Sequence, residues 1–230
     1  MNNISVIILA GGFGTRLKSV LDGRPKALAD INGKPFIHLL VNNLKKQGLN
    51  NFIFSLHYKA NQIIDFLEQD IFKEFNFEFI IEPNPLGTGG AVSYVINNTF
   101  LSDEFFVVNA DTWLENGYQK LNSTKGNAIL INKVENSSRY GSVMVNQNDL
   151  IIKFVEKNNL AKPAYINAGV YKLQKKLFEK WDGSPFSLEK DLFPKLVKKN
   201  SIKGIKTNSL FIDIGIPKDY YKFCDLISKR

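Results

Sequence analysis

The chain has few of the residues that build disulfides, histidine metal sites and covalent active sites. It contains one cysteine, Cys224, and two histidines, His38 and His57. A lone cysteine excludes an internal disulfide, and two separated histidines are too few for a histidine metal cluster. No Ser, Cys or His stands in a recognisable nucleophile motif, so a covalent intermediate has no candidate residue. We expect a protein of the reducing cytoplasm.

Long apolar runs are also missing. No run approaches the roughly 20 residues that a membrane-spanning helix needs, and we expect no membrane partner. The first residues lead into a strand, without the basic region or cleavage site of a signal peptide. With 230 residues, 44% of them hydrophobic, the chain is long enough to bury the core of one α/β domain, expected to span 1–230. The pattern allows an oligomer but specifies none.

Positive charge is in excess but is not concentrated. The net charge is +8, and the densest lysine pairs, Lys175-Lys176 and Lys198-Lys199, are typical of solvated helix faces. A nucleic-acid-binding surface would need a basic patch, which this spacing does not form. We therefore expect anionic small molecules as partners and no nucleic acid.

What the chain does contain is a glycine-rich segment directly after its first apolar run. The segment is Leu9-Ala10-Gly11-Gly12-Phe13-Gly14-Thr15-Arg16-Leu17, and Lys26 follows it. Glycines let backbone N–H groups approach a phosphate, and Arg16 and Lys26 add positive charge. Leu17 stands where a dinucleotide-binding motif has its third glycine, and no P-loop motif occurs. The segment predicts a nucleoside triphosphate site; the alternative is a plain strand-to-helix turn, which needs one glycine and no cation.

Apolar strands are predicted to alternate with amphipathic helices along most of the chain. The predicted strands are 4–9, 51–56, 77–81, 104–109 and 128–134, and the predicted helices are 35–49, 61–71 with Asn61 as its cap, 89–98, 187–199 with Ser187 as its cap, and 217–228. Segments 142–145 and 150–155 flank turn residues and predict an antiparallel hairpin. This order predicts a Rossmann-like α/β fold, with a mixed, mostly parallel sheet flanked by helices and a small antiparallel excursion. Ligands should gather at the carboxyl ends of the parallel strands.

Two aspartates follow apolar strands in this pattern. Asp111 comes after the run 105–108, and Asp213 lies in the segment 211–217. Carboxylates at strand ends are suited to hold Mg²⁺ against phosphate oxygens. Either aspartate could instead cap a turn or a helix.

The segment from Leu9 to Lys26 resembles the L-A-G-G-x-G-T-R-L…P-K signature of the sugar-phosphate nucleotidyltransferases, and the resemblance extends over nearly the whole chain. It implies a GT-A-like nucleotidyltransferase fold, with the antiparallel excursion binding the sugar. It also implies an NTP and a sugar 1-phosphate as substrates and Mg²⁺ as cofactor, held by Asp111 and Asp213. Segments 82–89 and 166–171 look closest to the guanylyltransferases of D-glycero-α-D-manno-heptose 1-phosphate. That likeness implies GMP transfer from GTP, which gives GDP-heptose for a bacterial surface polysaccharide such as capsule.

The same resemblance assigns expected roles to individual residues. The expected catalytic residues are Arg16, Lys26, Asp111, Lys157 and Asp213. The expected nucleotide-binding residues are Leu9, Ala10, Gly11, Gly12, Gly14, Thr15, Arg16, Lys26, Glu82, Pro85, Gly87, Thr88, Asn109 and Asp111. The expected sugar-binding residues are Tyr140, Gly141, Glu156, Lys157, Asn167 and Gly169. The pair Glu156-Lys157 could also be an ordinary surface ion pair.

The prediction that the base is guanine depends on Glu82. Relatives that use pyrimidine nucleotides have a Gln at the position that Glu82 resembles. An ionised carboxylate only accepts hydrogen bonds, and guanine presents two adjacent donors, N1–H and the N2 amino group. Uracil and thymine present a donor between acceptors, so Glu82 favours GTP. The alternative is a carboxylate merely exposed at a strand end.

Two other functions stay open from the sequence. One is the same chemistry on other substrates, namely mannose 1-phosphate with GTP, or a hexose 1-phosphate with UTP or dTTP. The other is a non-catalytic regulator that binds a nucleotide sugar. Retention of every charged residue at the expected reaction centre argues against the regulator.

Overall fold

The computed structural model describes residues 4–155 and 162–229. Its strands are β1 (Ser5–Leu9), β2 (Asp30–Ile31), β3 (Lys34–Pro35), β4 (Asn51–Leu56), β5 (Asn76–Ile81), β6 (Glu104–Asn109), β7 (Thr112–Leu114), β8 (Ala128–Val134), β9 (Ser142–Val145), β10 (Ile151–Val155), β11 (Ala164–Gln174), β12 (Lys203–Thr207) and β13 (Phe211–Asp213). Its α-helices are α1 (Lys18–Leu21), α2 (Phe36–Lys46), α3 (Ala60–Leu67), α4 (Gly87–Asn98), α5 (Tyr118–Ser123), α6 (Phe193–Lys198) and α7 (Pro217–Ser228). A π-helical turn spans Leu188–Leu192, and short 3-10 turns span Thr15–Leu17, Lys26–Leu28, Asp70–Phe72 and Lys175–Leu177.

The described residues form one nine-stranded mixed sheet and two small two-stranded sheets. The large sheet has the order β10-β9-β11-β6-β1-β4-β5, with β8 beside β11 and β12 beside β8. Strands β6, β1, β4 and β5 are parallel to one another, whereas β11 runs antiparallel to β6. The β9–β10 hairpin is antiparallel, as the sequence predicts. The predicted α/β class and the antiparallel excursion are both confirmed.

Alternation along the central strands fills both faces of the sheet. Val6 and Ile8 belong to one buried cluster and Ile7 to the other, because successive side chains of a strand point to opposite faces. Helix α2 covers the first face with a stripe of side chains that includes Leu40 and Leu44, both fully buried. The centre of strand β1, from Val6 to Ile8, is buried on both faces and apolar throughout, as parallel strands in α/β proteins are.

Several predicted element boundaries were wrong. The helix predicted over 61–71 ends at Leu67, and Lys59 rather than Asn61 occupies its N-cap. The residues beyond it form the separate 3-10 turn Asp70–Phe72, where Phe72 packs into the core. The helix predicted over 187–199 begins as a π-helical turn and becomes α-helical at Phe193. The Ser187 cap is confirmed, since its hydroxyl accepts a hydrogen bond from the backbone N–H of Lys190.

The carboxyl ends of the parallel strands converge on one edge of the sheet. Backbone hydrogen bonds continue past the strand ends, from Ala10 N–H to the Ser55 carbonyl at 2.9 Å and from Ala110 N–H to the Leu9 carbonyl at 3.1 Å. Strand β11 reaches the same edge at its amino end, because it runs antiparallel to β6. Loops from five strands thereby meet at one place. No helix in the described ranges is long and apolar enough to cross a membrane.

Candidate active site

The glycine-rich segment lies as a loop between β1 and the 3-10 turn at Thr15. None of the backbone N–H groups from Gly11 to Gly14 donates a hydrogen bond within residues 4–155 and 162–229. A Cβ added at Gly12 would meet no atom within 4 Å, so this part of the loop is open to a ligand. Gly14 has φ +64°, a left-handed conformation that glycine adopts without strain. The loop therefore offers free donors of the kind that bind phosphate.

Glu82 is buried at the end of β5 and points toward this loop. It is only 6% exposed, which rules out the alternative of a carboxylate exposed at a strand end. Its Oε1 accepts a hydrogen bond from the Ser55 hydroxyl at 2.7 Å, and its Oε2 accepts one from the Leu86 N–H at 3.3 Å. A Cβ added at Gly11 would come 3.4 Å from Oε1, so glycine at that position permits the approach.

Burial raises the pKa of the Glu82 carboxyl, because the charged form loses hydration. Hydrogen bonds from Ser55 and Leu86 and the nearby His57 oppose that rise without cancelling it. Each carboxylate oxygen can accept more than one hydrogen bond, so both retain capacity for a ligand. The ionised group would present two acceptors to the cleft.

Lys26 lies between the two predicted metal ligands. Its Nζ is 2.6 Å from Asp111 Oδ2 and 3.8 Å from Asp213 Oδ1. Asp111 Oδ1 also accepts from the Thr112 hydroxyl at 3.1 Å, and Asp213 Oδ1 accepts from the Gly215 N–H at 2.7 Å. Asp213 therefore does cap a turn, as the alternative interpretation expected. It also faces the Lys26 ammonium group, as Asp111 does.

This donor set suits a hard cation shared with phosphate. Among the residues that the structure describes, no group of three or more His, Cys, Asp or Glu side chains forms a self-sufficient metal site. Two carboxylates that converge on one positive charge, both partly exposed, are instead what an Mg²⁺ ion needs when phosphate oxygens complete its shell. The residues present fit the predicted ion.

The predicted sugar-binding residues on β11 sit in a bulge. The register between β11 and β8 shifts between Asn167 and Tyr171, and Gly169 within the bulge has φ +69°. A Cβ on Gly169 would come 2.9 Å from Asn109 Nδ2 and 3.3 Å from Thr112 Oγ1. The bulge thus presses the β11 segment against the end of β6, beside Asp111. Asn109 Oδ1 is buried without a partner in the described part of the chain, and such an acceptor is a candidate to bind a ligand.

Tyr140 and Gly141 lie just before β9. Burial raises the pKa of the Tyr140 hydroxyl, the positive charge of Arg139 opposes that rise, and the negative charge of Asp213 adds to it, so Tyr140 lies near Asp213. Its ring also packs edge-on against Phe211 at 5.6 Å. A Cβ on Gly141 would come 3.2 Å from the Val155 carbonyl. Glu156 and Lys157 lie outside the described residues.

A cleft of about 310 Å³ connects most of the predicted nucleotide-binding residues. Its lining consists of Leu9, Gly11, Gly12, Phe13, His57, Glu82, Pro85, Leu86, Gly87, Thr88, Ala91, Asn109 and Asp111. Ala10 and Lys26 line a smaller adjoining pocket with Asp111. Gly14, Thr15 and Arg16 do not line the cleft, and the Arg16 side chain is exposed to solvent.

Four residues that line the cleft were not among the predicted site residues, namely Phe13, His57, Leu86 and Ala91. Phe13 and His57 contribute aromatic rings. Their rings pack edge-on at 5.8 Å, and His57 Nδ1 lies 3.1 Å from the Glu82 carbonyl oxygen. Phe13 is 51% exposed, and the signal available in the sequence was an aromatic residue between two glycines. Trp113 packs against Phe223 and does not line the cleft.

Glycines at the start of α4 serve packing as much as ligand approach. A Cβ on Gly89 would come 2.2 Å from the Phe186 ring, and one on Gly87 would come 2.6 Å from the Phe186 carbonyl. That carbonyl accepts hydrogen bonds from the Gly89 and Gly90 N–H groups at 2.9 and 3.3 Å. The segment before the π-helical turn is thereby held tightly against the nucleotide side of the cleft.

Comparisons with known proteins give a consistent result along the whole chain. The family described as Nucleotidyl transferase matches residues 5–230. The D-glycero-alpha-D-manno-heptose 1-phosphate guanylyltransferase of Campylobacter jejuni is 38% identical over 222 residues, which cover 96% of this chain and 98% of that protein. A putative mannose-1-phosphate guanyltransferase of Sulfolobus acidocaldarius is 32% identical over 95% of this chain and 62% of its own length. A crystal structure of HddC from Yersinia pseudotuberculosis complexed with GMP-PN has a TM-score of 0.87 and 40% identity, with 97% and 99% of the two chains covered.

Proposed function

Because the chain belongs to the nucleotidyl transferase family, we propose that it transfers GMP from GTP to D-glycero-α-D-manno-heptose 1-phosphate. The products would be GDP-heptose and pyrophosphate. The observation that carries the choice of GTP is the buried Glu82 carboxylate in the cleft, beside the open glycine loop. The heptose is supported by the name of the Campylobacter relative, which aligns over nearly its whole length.

The Glu82 carboxylate would recognise the base. Its two oxygens would accept from the guanine N1–H and N2–H groups, and Ser55 and Leu86 hold the carboxylate in place. A uracil would set its carbonyl oxygens against the same acceptors, and the mismatch would leave buried polar groups unpaired. This is a discrimination by hydrogen-bond polarity, which a hydrophobic pocket cannot supply.

The glycine loop and Lys26 would bind the triphosphate, with Arg16 reaching it from the loop end. Asp111 and Asp213 would hold Mg²⁺, which supplies positive charge next to the phosphates when bound. Enzymes of this family typically use a divalent metal. Lys26 already lies against both carboxylates and would keep a positive charge at the reaction centre after pyrophosphate leaves.

The sugar 1-phosphate would bind on the opposite wall, against Tyr140, Gly141, Asn167 and Gly169. As the resemblance implies, Glu156 would bind sugar hydroxyls and Lys157 the phosphate. A phosphate oxygen of the sugar would attack the α-phosphorus of GTP, and the bond to the β-phosphate would break in line. No protein nucleophile is needed, so catalysis would consist of positioning and charge stabilisation. We further propose that 1–230 act as one domain in the cytoplasm, in the synthesis of a bacterial surface polysaccharide.

A pyrophosphate-release panel tests this proposal. Purified protein with Mg²⁺ is offered GTP, UTP, dTTP, CTP or ATP, each with the manno-heptose, mannose or glucose 1-phosphate. We expect release with GTP and the heptose phosphate, and loss of that release in Asp111→Asn with the fold unchanged by circular dichroism. Release with UTP or dTTP would contradict the Glu82 argument, and unchanged turnover in Asp111→Asn would contradict the metal site.

Mannose 1-phosphate with GTP is the second candidate. It is favoured by the similarity to the Sulfolobus relative, whose name gives that substrate. The panel separates the two sugars directly by kcat/KM, with the same nucleotide in both arms.

A further inference from the structure

Polar side chains connect the two walls of the cleft through Glu189, a residue that the sequence analysis did not place in the site. Glu189 lies in the π-helical turn Leu188–Leu192. Its Oε2 accepts hydrogen bonds from the Thr88 hydroxyl at 2.7 Å and the Ser187 hydroxyl at 2.8 Å. Its Oε1 accepts one from the Tyr171 hydroxyl at 3.0 Å. One carboxylate thus collects donors from three different segments.

The chain of hydrogen bonds continues to the predicted sugar-binding bulge. The Tyr171 hydroxyl accepts from Asn167 Nδ2 at 3.0 Å, and Asn167 Oδ1 accepts from the Gly169 N–H at 2.9 Å. On the other side, Thr88 lines the nucleotide cleft, and its hydroxyl oxygen accepts from the Leu188 N–H at 2.9 Å. Glu189 therefore stands between the two substrate walls.

The polarity of this chain is set by the carboxylate. Tyr171 is fully buried, and burial raises the pKa of its hydroxyl far above the usual value, so the hydroxyl keeps its proton. An ionised Glu189 can only accept, so Tyr171 must donate to it and must then accept from Asn167. That requirement turns the Asn167 amide nitrogen toward Tyr171 and its oxygen toward the Gly169 N–H. The Gly169 N–H, which can only donate, requires the same orientation, so the Glu189 charge and this backbone donor together hold the Asn167 amide.

The location of Glu189 agrees with such a role. No Lys or Arg of the described ranges forms an ion pair with it, so hydroxyl donors supply its stabilisation. π-helical turns are frequent at functional sites, and this one directly precedes α6. Here the turn follows Phe186, which is held against the start of α4.

We propose that Glu189 is a positioning residue, which sets the orientation of Asn167 relative to Thr88 and so aligns the sugar 1-phosphate with the nucleotide. This inference deepens the proposed function above and depends on it. Glu189 touches neither reacting group; it acts through Tyr171 on one wall and through Thr88 on the other.

Steady-state kinetics of Glu189→Gln test the proposal. Glutamine has nearly the same shape, but its amide can donate toward Tyr171, which removes one of the two constraints on the Asn167 orientation and leaves the Gly169 N–H as the other. With the sugar 1-phosphate varied at saturating nucleotide, we expect kcat/KM to fall about 10-fold to 100-fold, through both a higher KM and a lower kcat. The KM for the nucleotide should change much less.

Glu104→Gln is the matched control. Glu104 is also partly buried and multiply hydrogen-bonded, to Lys172 and the Gly126 N–H, but it lies at the opposite end of β6. Glu104→Gln should lower the melting temperature and leave the KM for the nucleotide and the KM for the sugar 1-phosphate unchanged. If Glu189→Gln behaves in the same way, the residue is merely structural and the proposal is overturned.

A double-mutant cycle with Tyr171→Phe tests the transmission. If both residues act on Asn167 through one chain, the double variant should lose little more kcat/KM than either single variant. If the kcat/KM losses of the two single variants multiply in the double variant, the residues act independently and do not act through one chain of hydrogen bonds.

The wild type separates the failure of this inference from the failure of the proposed function. If the wild type turns over another pair of nucleotide and sugar phosphate, the substrate proposal is wrong. The kcat/KM of Glu189→Gln relative to the wild type is then measured with that pair. If it turns over no pair, both fall. Wild-type turnover together with unaltered kinetics of Glu189→Gln overturns the positioning role alone.

Discussion

Glu82 shows how much a single buried carboxylate can decide. Burial costs free energy for the charged form, and the site offsets that cost with a hydroxyl, a backbone N–H and the smaller effect of His57 rather than with a Lys or Arg. A neighbouring Lys or Arg would have occupied the acceptors that a base could use. The local arrangement leaves acceptor capacity directed to the cleft.

Glu82→Gln should lower kcat/KM for GTP about 10-fold to 100-fold, because one charge-assisted hydrogen bond to the base is lost. The preference for GTP over UTP should shrink, since the glutamine amide can donate to a pyrimidine carbonyl. Competition assays with the two nucleotides measure both effects.

The same residue predicts a pH dependence. The pKa of Glu82 is raised above its ordinary 4.5, so the wild type should lose GTP affinity as the pH falls toward that raised value and the carboxyl gains a proton. Glu82→Gln has no such group and should give a flatter profile. A wild-type profile as flat as that of the variant would contradict base recognition by an ionised Glu82.

At the scale of elements, the bulge in β11 brings the sugar wall to the end of β6. A regular strand would alternate its side chains across the sheet, and the extra residue of a bulge re-aims them. Gly169 is required twice, by its positive φ and by the close approach of Asn109. The sequence motif containing Asn167 and Gly169 marked this place, but it did not reveal the bulge.

Gly169→Ala should lower stability by about 1–2 kcal/mol through backbone strain, and should also reduce turnover because the new methyl group displaces Asn109. Gly183→Ala is the control: Gly183 has φ +91°, and an added Cβ would meet nothing within 4 Å. It should lose similar stability and keep its kinetics. Urea unfolding and kcat/KM measure the two effects, and equal kinetics for both variants would contradict the contact with Asn109.

At the scale of the whole molecule, the candidate active site lies at one edge of the sheet, and a buried ion pair that stabilises the fold lies at the opposite edge. Far from the cleft, Lys172 is buried within β11, where it pairs with Glu104 at 2.7 Å and donates to the Asn122 and Thr124 carbonyls at 3.1 and 2.8 Å. It ties the end of α5 to β6 and β11. Burial acts to raise the pKa of Glu104, but the hydrogen bond and charge of Lys172, together with hydrogen bonds from the Gly126 N–H and the Gln174 amide, outweigh it and lower the pKa overall.

Lys172→Met should destabilise the fold by about 2–4 kcal/mol near neutral pH, because it leaves a partly buried carboxylate and two carbonyls without their donor. A lowered folded-state pKa contributes stability that is present above the unfolded value, 4.5, and is lost as the pH falls through the folded-state value. The deficit of the variant should therefore shrink at low pH. Denaturant unfolding at pH 7 and pH 4 measures the difference in unfolding free energy between the wild type and the variant. A difference that does not change with pH would contradict the ion pair between Lys172 and Glu104.

Much of the fold follows from local pattern. Strands β4, β6, β8 and β9 and helix α7 were predicted with their observed bounds, because alternation or continuous apolarity, caps and turn residues lie close together in sequence. The helix predicted over 61–71 was too long, since Ile71 continues the apolar spacing while Phe72 packs through a separate turn. Local spacing cannot distinguish these two arrangements.

By itself, the sequence determined the α/β class, the glycine loop at the end of β1 and the charged residues that follow strand ends, because each depends on neighbours in the chain. Only the tertiary structure decided that Lys26 lies between Asp111 and Asp213, that Glu82 is buried beside Gly11, and that Glu189 joins Thr88 to Tyr171. These contacts join segments far apart in the chain. Their geometry is set by how the strands order themselves in the sheet and by the packing of the loops at its carboxyl edge.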